Sequence, residues 1–318
     1  MAEMLVFCEK DEVAFELLSK GKEFATELGL DLTAALLGEK VEGRAEEYFA
    51  YGAVKVYLGK APALRHFEVE VYAQALHQVV QAQGPEVILI GSTRRGKEMA
   101  PRLAQKVGAG CITDAIGVRV EDGNLFADRY ALGGNTVSTE IIKTPLKVIA
   151  VMPRTFEPGP REGRKGEIVK VDLALEEPRV RIVERREKGG EAVNIEDAEV
   201  LVCIGRGLEK REDLPLIQGL ADALNGELGC SRSLSSDYQW LSEERMVGIS
   251  GKKCSPRLHI SVGISGQIQH AVGILGSRIV VAINKDKSAP IFKLADYGIV
   301  GDLYEVVPKL TEKLESLS

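Results

Sequence analysis

Residues 258–303, LHISVGISGQIQHAVGILGSRIVVAINKDKSAPIFKLADYGIVGDL, decide how this chain folds. They read as two short buried strands rich in β-branched residues, His259–Gly263 and Arg278–Ile283. Each has the length of a buried strand. The first breaks at Gly263-Ile264-Ser265-Gly266, where the pattern predicts a helix carrying Gln267, Gln269 and His270. The second ends at Asn284-Lys285-Asp286. Buried strands that end in small and polar residues point to an α/β sheet, whose strand-end loops are where such folds hold ligands.

The residues before this stretch extend the same pattern. Val200–Ile204 reads as a strand and runs into Gly205-Arg206-Gly207. A helix is predicted from about Arg211 to Leu224, stopping at Asn225-Gly226, a usual C-terminal punctuation. Leu228–Cys230 is a short strand ending in Ser231-Arg232, and a helix from about Leu303 to Leu317 closes the chain.

The first half repeats the alternation. Apolar runs at Met4–Phe7, Ala34–Leu37, Val54–Leu58 and Val87–Ile90 are separated by helical patterns at Val13–Leu28, Gly43–Tyr51, Val71–Gln83 and Lys97–Val107. Ile116–Val120, Leu125–Ala131, Thr136–Ile142 and Leu146–Val151 then follow without helices, with turns at Asp122-Gly123-Asn124 and Gly133-Gly134-Asn135. They predict an antiparallel extension of a parallel sheet. Residues 153–164 read as an exposed excursion, Val169–Leu173 and Val180–Val183 as strands, and Glu184–Glu191 as a charged linker. The expected fold class is α/β, with two Rossmann-like domains at 1–190 and 191–318.

Composition narrows the function. The chain has 318 residues, 45% hydrophobic and 28% charged, with a net charge of -6. It has no basic run of the kind that phosphate neutralisation needs, which argues against nucleic-acid binding. No apolar run approaches a membrane span. The opening MAEMLVFCEKDE lacks the features of a signal peptide or a mitochondrial presequence, so a cytoplasmic location is expected. The five cysteines show no C-x-x-C pair, and the four histidines no metal-ligand spacing. Cys8 and Cys203 fall inside strand patterns and read as inert core residues.

Several strand-end clusters are candidates for chemistry, each with a plain alternative. Gly205-Arg206-Gly207 offers close backbone approach and a planar cation, or only a tight turn. Ser231-Arg232 offers a cation against a planar ring, or only a surface loop. Val247-Gly248-Ile249-Ser250-Gly251-Lys252 is neither a P-loop nor G-x-G-x-x-G, but places a hydroxyl and backbone donors together. Gly263-Ile264-Ser265-Gly266 has the wrong register for a nucleophile elbow. Ser265 instead reads as an N-cap or anion donor at a helix start, a geometry suited to a pyrophosphate. Arg94-Arg95, after the Val87–Ile90 strand, read as a phosphate loop or a partner-facing edge.

Taken together, these motifs resemble the α subunit of electron transfer flavoprotein. The resemblance is carried by the Gly205, Ser231 and Val247 clusters, GISGQIQH (263–270), AINKD (282–286), APIF (289–292) and ADYGIVGDL (295–303), supported by 92–103 and 130–135. It covers essentially the whole chain. It implies a C-terminal domain holding FAD, lined by Arg206, Ser231, Arg232, Val247, Gly248, Ile249, Ser250, Ser265, Gly266, Gln267, Ile268, Gln269, His270, Asn284, Asp302 and Leu303. Within that set it places Ser250 near flavin N5, and Arg232 and a hydrogen-bonding His270 near the N1–C2=O side. The Ser265–Gln269 helix start would serve the pyrophosphate or ribityl region, and Asn284 and Asp302 the adenosine.

The resemblance also implies a heterodimer with a β subunit, an electron donor among flavin dehydrogenases such as acyl-CoA dehydrogenases, and a quinone oxidoreductase or ferredoxin/flavodoxin as acceptor. The chain itself is expected to hold no catalytic residue and no metal. Three alternatives remain at this point: a subunit of an electron-bifurcating, NADH-oxidising complex, a nucleotide-sensing module, and a nicotinamide enzyme. The absence of G-x-G-x-x-G weakens the last. Ile249-Ser250 departs from the family's frequent Gln-Thr, keeping the hydroxyl and losing an amide.

Overall fold

The computed structural model describes residues 2–134, 136–180, 183–184 and 193–317. The chain divides into two compact units, Met1–Arg185 and Arg186–Ser318. Most of the proposed 184–191 linker lies outside the described residues, as do Arg181 and Ile182 of the expected Val180–Val183 strand. Val180 and Val183 themselves lie outside any strand and are exposed.

In chain order, the first unit contains β1 (Glu3–Phe7), α1 (Asp11–Leu28), β2 (Asp31–Gly38), α2 (Ala45–Ala50), β3 (Lys55–Lys60), α3 (Val69–Gln83), β4 (Val87–Gly91) and α4 (Arg94–Val107). It continues with β5 (Gly110–Glu121), β6 (Asn124–Ala131), β7 (Thr136–Ile141), β8 (Lys147–Val151) and β9 (Glu167–Val171). The nine strands form one sheet, ordered β7-β6-β5-β8-β4-β1-β2-β3-β9. β1 and β4 are buried at every position, because helices cover both faces of the parallel part.

The antiparallel extension is confined to β5, β6 and β7. The Leu146–Val151 segment departs from the expectation. It inserts as β8 between β4 and β5 and runs parallel to both. Its unbroken apolar run, Val148–Val151, is fully buried, which a half-solvated antiparallel edge does not provide.

The second unit contains β10 (Val200–Ile204), α5 (Leu214–Ala223), β11 (Glu227–Cys230), β12 (Leu258–Val262), α6 (Ile268–Ala271), β13 (Ile279–Asn284), β14 (Tyr297–Val300) and α7 (Leu303–Glu315). Its strands are all parallel, in the order β11-β10-β12-β13-β14. The chain winds one way from β10 to β11 and then the other way from β12 onward. That reversal leaves a crevice at the carboxyl ends of β10 and β12, where doubly wound sheets bind ligands.

Alternation along β12 gives the sheet two different faces. Leu258, Ile260 and Val262 pack beneath α5 and α7. His259 and Ser261 point to the opposite layer, which is built from the Val247 and Cys254 loop and the Ile264–Ile274 segment.

Candidate functional site at the sheet crevice

A cleft of about 760 Å³ opens over the carboxyl ends of β10 to β13. Its floor is sewn by backbone. Gly205 N–H donates to the Val262 carbonyl at 3.0 Å, and Gly207 N–H to the Gly263 carbonyl at 3.0 Å. A Cβ on Gly207 would lie 2.6 Å from the Gly263 Cα, so only glycine permits this approach.

One wall is the Val247–Lys252 loop. Gly248 N–H donates to the Lys252 carbonyl (3.0 Å), and Ile249 N–H to the Gln269 carbonyl (2.8 Å). Gly248 has φ 142°, and its absent Cβ would sit 2.4 Å from the Gln269 oxygen. The loop therefore lies directly against the segment that carries Gln267, Gln269 and His270. Ile249, 54% exposed, and Ser250 project at the loop tip.

Fourteen of the sixteen residues singled out from the sequence line this cleft: Arg206, Ser231, Arg232, Val247, Gly248, Ile249, Ser250, Ser265, Gln267, Gln269, His270, Asn284, Asp302 and Leu303. Gly266 and Ile268 do not. Gly266, at φ 81°, packs its backbone against Ile291, and Ile268 turns a half-exposed side chain elsewhere. Sequence reasoning missed Glu209, Tyr238 and Tyr304, and quoted Lys285 and Asp286 without assigning them, yet all five line the cleft. Their only signal was position, beside or just after a strand end.

Three expectations change on inspection of the geometry. First, Ser265 caps no helix. Gln267 occupies the cap position, and α6 is a single turn of four residues. Such a turn is too short to sum an appreciable dipole, so anion binding at a helix mouth is not what Ser265 offers.

Second, Asn284 spends its amide on the protein. Its Nδ2 donates to the Ile264 carbonyl (2.8 Å), and its Oδ1 accepts from Asp286 N–H (2.9 Å). It therefore fixes the loops after β12 and β13 relative to each other. Asn284→Ala is expected to lower stability by about 2 kcal/mol, roughly one per lost bond. A denaturant melt followed by the fluorescence of Trp240, packed in this unit, checks this.

Third, His270 is only 7% exposed. Its Nδ1 lies 3.2 Å from the Val247 carbonyl, which can only accept, so Nδ1 carries the proton. Nε2 is buried without a partner. Burial holds the ring's pKa down to about 4, partly offset by the Val247 carbonyl. The residue meets the cleft as a neutral ring.

The charge balance favours an anion. Arg206, Arg232 and Lys285 are exposed on the cleft, with no hydrogen bond or ion pair to their side chains among the described residues. Two of the facing carboxylates are engaged. Asp302 accepts from Tyr304 N–H (2.9 Å) as the cap of α7, and Asp286 accepts from the Ser288 amide and hydroxyl. The cleft in the first unit is smaller, about 450 Å³, and its charges are mixed: Glu9, Glu39, Lys40, Arg44 and Arg65. Arg44 there is already bound to Asp11.

Fold and site define the class: a two-unit α/β protein whose second unit opens a dinucleotide-sized cleft at a strand-order reversal. Comparison with known proteins carries this further. A family model for the electron transfer flavoprotein domain matches residues 5–176, and one for the electron transfer flavoprotein FAD-binding domain matches 194–275. The chain is 38% identical over 312 residues to an electron transfer flavoprotein subunit alpha of Thermoanaerobacterium thermosaccharolyticum, covering 96% of this chain and 94% of that protein. It is 35% identical to the subunit alpha of Bacillus subtilis, covering 98% and 95%. It is also 34% identical to a lactate dehydrogenase (NAD(+),ferredoxin) subunit of Acetobacterium woodii, covering 95% and 73%. The chain belongs to the electron transfer flavoprotein family, as an α subunit, and its cofactor is FAD.

The residues present fit that cofactor. Unpaired guanidiniums suit a pyrophosphate. Exposed hydroxyls and amides suit sugar and ring edges, and Met246, Ile249 and Leu303 give apolar walls for a flat ring system. Among the described residues no helix is long and apolar enough to cross a membrane.

Proposed function

We propose that this cleft is the FAD cradle, and that the chain works as one half of a heterodimer with an electron transfer flavoprotein β subunit. The heterodimer accepts electrons from flavin dehydrogenases, acyl-CoA dehydrogenases among them, and passes them to a quinone oxidoreductase or a ferredoxin/flavodoxin. The main support is the pair of unpaired guanidiniums, Arg206 and Arg232, on neighbouring strand ends above glycine-built loops.

Bound FAD supplies the acceptance and release of single electrons or pairs. The chain's own residues hold and tune it. Arg206 and Lys285 neutralise the pyrophosphate. Arg232 would supply positive charge to a flavin ring that gains negative charge, and the Ser250 hydroxyl would be a hydrogen-bonding group for the same ring. Ile249 and Met246 exclude water, and His270 adds a neutral wall. Asn284 and Asp302 act on the adenosine side by fixing the loops that meet it.

Absorption spectra of the co-produced heterodimer test the reading. A yellow complex is expected. Arg206→Ala is expected to weaken FAD binding roughly tenfold to a hundredfold, the worth of a hydrogen bond to a charged group. Arg232→Ala is expected to lower the FAD midpoint potential, by about 59 mV for each 1.4 kcal/mol of lost one-electron stabilisation. A heterodimer that stays colourless after reconstitution, or two variants with unaltered affinity and potential, would sink it.

A second reading is favoured by the similarity to the NAD(+),ferredoxin-linked lactate dehydrogenase subunit. In it, the heterodimer is electron-bifurcating and NADH reduces it directly. Adding NADH to the purified complex, with and without ferredoxin, separates the two.

A further inference from the structure

The loop from β10 to α5 is held in two different ways. Its first part, Gly205–Leu208, is fixed by the backbone bonds to Val262 and Gly263 and by the buried Leu208 side chain. Its second part, 209–213, runs over the surface, and Glu209, Lys210, Arg211 and Glu212 are all exposed. Among the described residues, this second part is hydrogen-bonded to an element beyond α5 through one side chain, Tyr304 in the first turn of α7. The Tyr304 hydroxyl accepts from Glu209 N–H at 3.0 Å and donates to the Asp213 carboxylate at 2.7 Å.

Asp213 occupies the cap position of α5, where a carboxylate ordinarily accepts from the first-turn N–H groups of its own helix. It makes no such bond, and its oxygen goes to Tyr304 instead. One hydroxyl therefore grips both ends of the 209–213 segment, and hydrogen bonds chained in this way strengthen one another. Burial and then the facing Asp213 carboxylate raise the phenol above its ordinary value, so it keeps the proton it donates.

This lock stands at the cleft. Tyr304 and Glu209 both line it, beside Arg206, Asp302 and Leu303. Tyr304 also donates its own N–H to the Asp302 carboxylate, the cap of α7. Its backbone thus orients one side of the rim while its hydroxyl holds the other. We propose that Tyr304 is a positioning residue for the adenosine end of the cofactor: by fixing 209–213 against α7 it holds that end of the cleft in shape and slows the release of FAD. The proposal rests on the reading of the cleft as the FAD cradle, with Asp302 on its adenosine side.

The test uses the FAD-loaded heterodimer and three measurements: hydrogen exchange of the Glu209 amide, the rate of FAD release, and the FAD midpoint potential. Tyr304→Phe keeps the ring, which packs on the core beneath α5 and α7, and removes the hydroxyl. Asp213→Ala removes the acceptor, and Asp213→Asn keeps an acceptor oxygen. Tyr304→Phe and Asp213→Ala are each expected to speed both the exchange and the release about tenfold, the worth of a hydrogen bond to a charged group. The double variant is expected to be no worse than either single one, because both break the same lock. Asp213→Asn is expected to stay near the parent protein, and the potential to stay unmoved throughout. Unaltered Glu209 exchange in both single variants overturns the lock. Faster exchange with unchanged FAD release, while Arg206→Ala still weakens FAD binding, overturns its role in positioning the cofactor. A potential displaced as far as in Arg232→Ala overturns the confinement of the effect to the adenosine end. If Arg206→Ala also leaves FAD binding unaltered, the cradle reading itself fails and the proposal falls with it.

Discussion

A heterodimer carrying Gly248→Ala is expected to purify without flavin colour. At φ 142° an alanine is sterically strained, and its Cβ would meet the Gln269 carbonyl at 2.4 Å. Strain and overpacking together cost about 2–5 kcal/mol. The cheapest relief is to move the 247–252 loop off the 267–270 segment, which breaks the bond from Ile249 N–H to Gln269 and spreads two walls of the cleft. FAD titration of the purified complex gives the measurement. Gly219→Ala is the control. It lies inside α5, and an added Cβ there meets nothing within 4 Å. That variant is expected to keep FAD and to gain roughly 0.5–1 kcal/mol of stability. FAD retention in Gly248→Ala would mean that the loop is not part of the cradle.

Acidification is expected to shift the stability of the two units in opposite directions, loosening the second and, through Glu16, firming the first. In the second unit His259 and His270 are held near 3 and 4 by burial, below the ordinary value of 6.5. The unfolded chain binds more protons between those limits, so stability falls as pH drops below about 6.5. With two such rings the loss by pH 4 is on the order of 5 kcal/mol. In the first unit burial raises the Glu16 carboxyl to about 7, against an opposing hydrogen bond from Arg154 N–H at 2.7 Å. Here the folded form binds the extra proton. That contribution is complete below the ordinary value of 4.5 and is lost as pH rises through 7. Native-state hydrogen exchange, resolved by peptide at pH 7 and pH 5, reads each unit separately. Protection in the second unit should fall at pH 5, and His259→Phe should lessen the fall. Equal protection at both values would mean that the rings titrate normally and are not buried neutral.

Alternation and punctuation made most elements legible. Met4–Phe7 of β1, β4 and β10 are unbroken apolar runs, β12 alternates apolar with polar residues, and Asn225, at φ 50°, ends the α5 region where its side chain suits a left-handed turn. β14 was not legible, because all four of its residues are exposed and its edge position leaves no burial pattern. The register of β8 was equally hidden. An apolar run of four residues does not say which neighbours it pairs with, and its partners are 37 and 60 residues away by the pairing of Val148 with Cys111 and Ile88.

By itself the sequence determined the α/β class, the strand-end positions of Arg206, Arg232 and Asn284, the glycine-bracketed loop of Ser250, and the resemblance that led to FAD. These follow from residue order, because a period of two or of 3.6 and a glycine after a strand are local properties. Tertiary structure decided what those residues can offer. It spent the Asn284 amide on two loops and reduced the helix at Ser265 to one turn. It also gave Nδ1 of His270 to the Val247 carbonyl and left its Nε2 buried. The reason is physical: whether a polar atom meets a ligand or another part of the chain depends on which distant segments pack against it. Val247, β12 and the 263–270 segment meet only when the sheet closes.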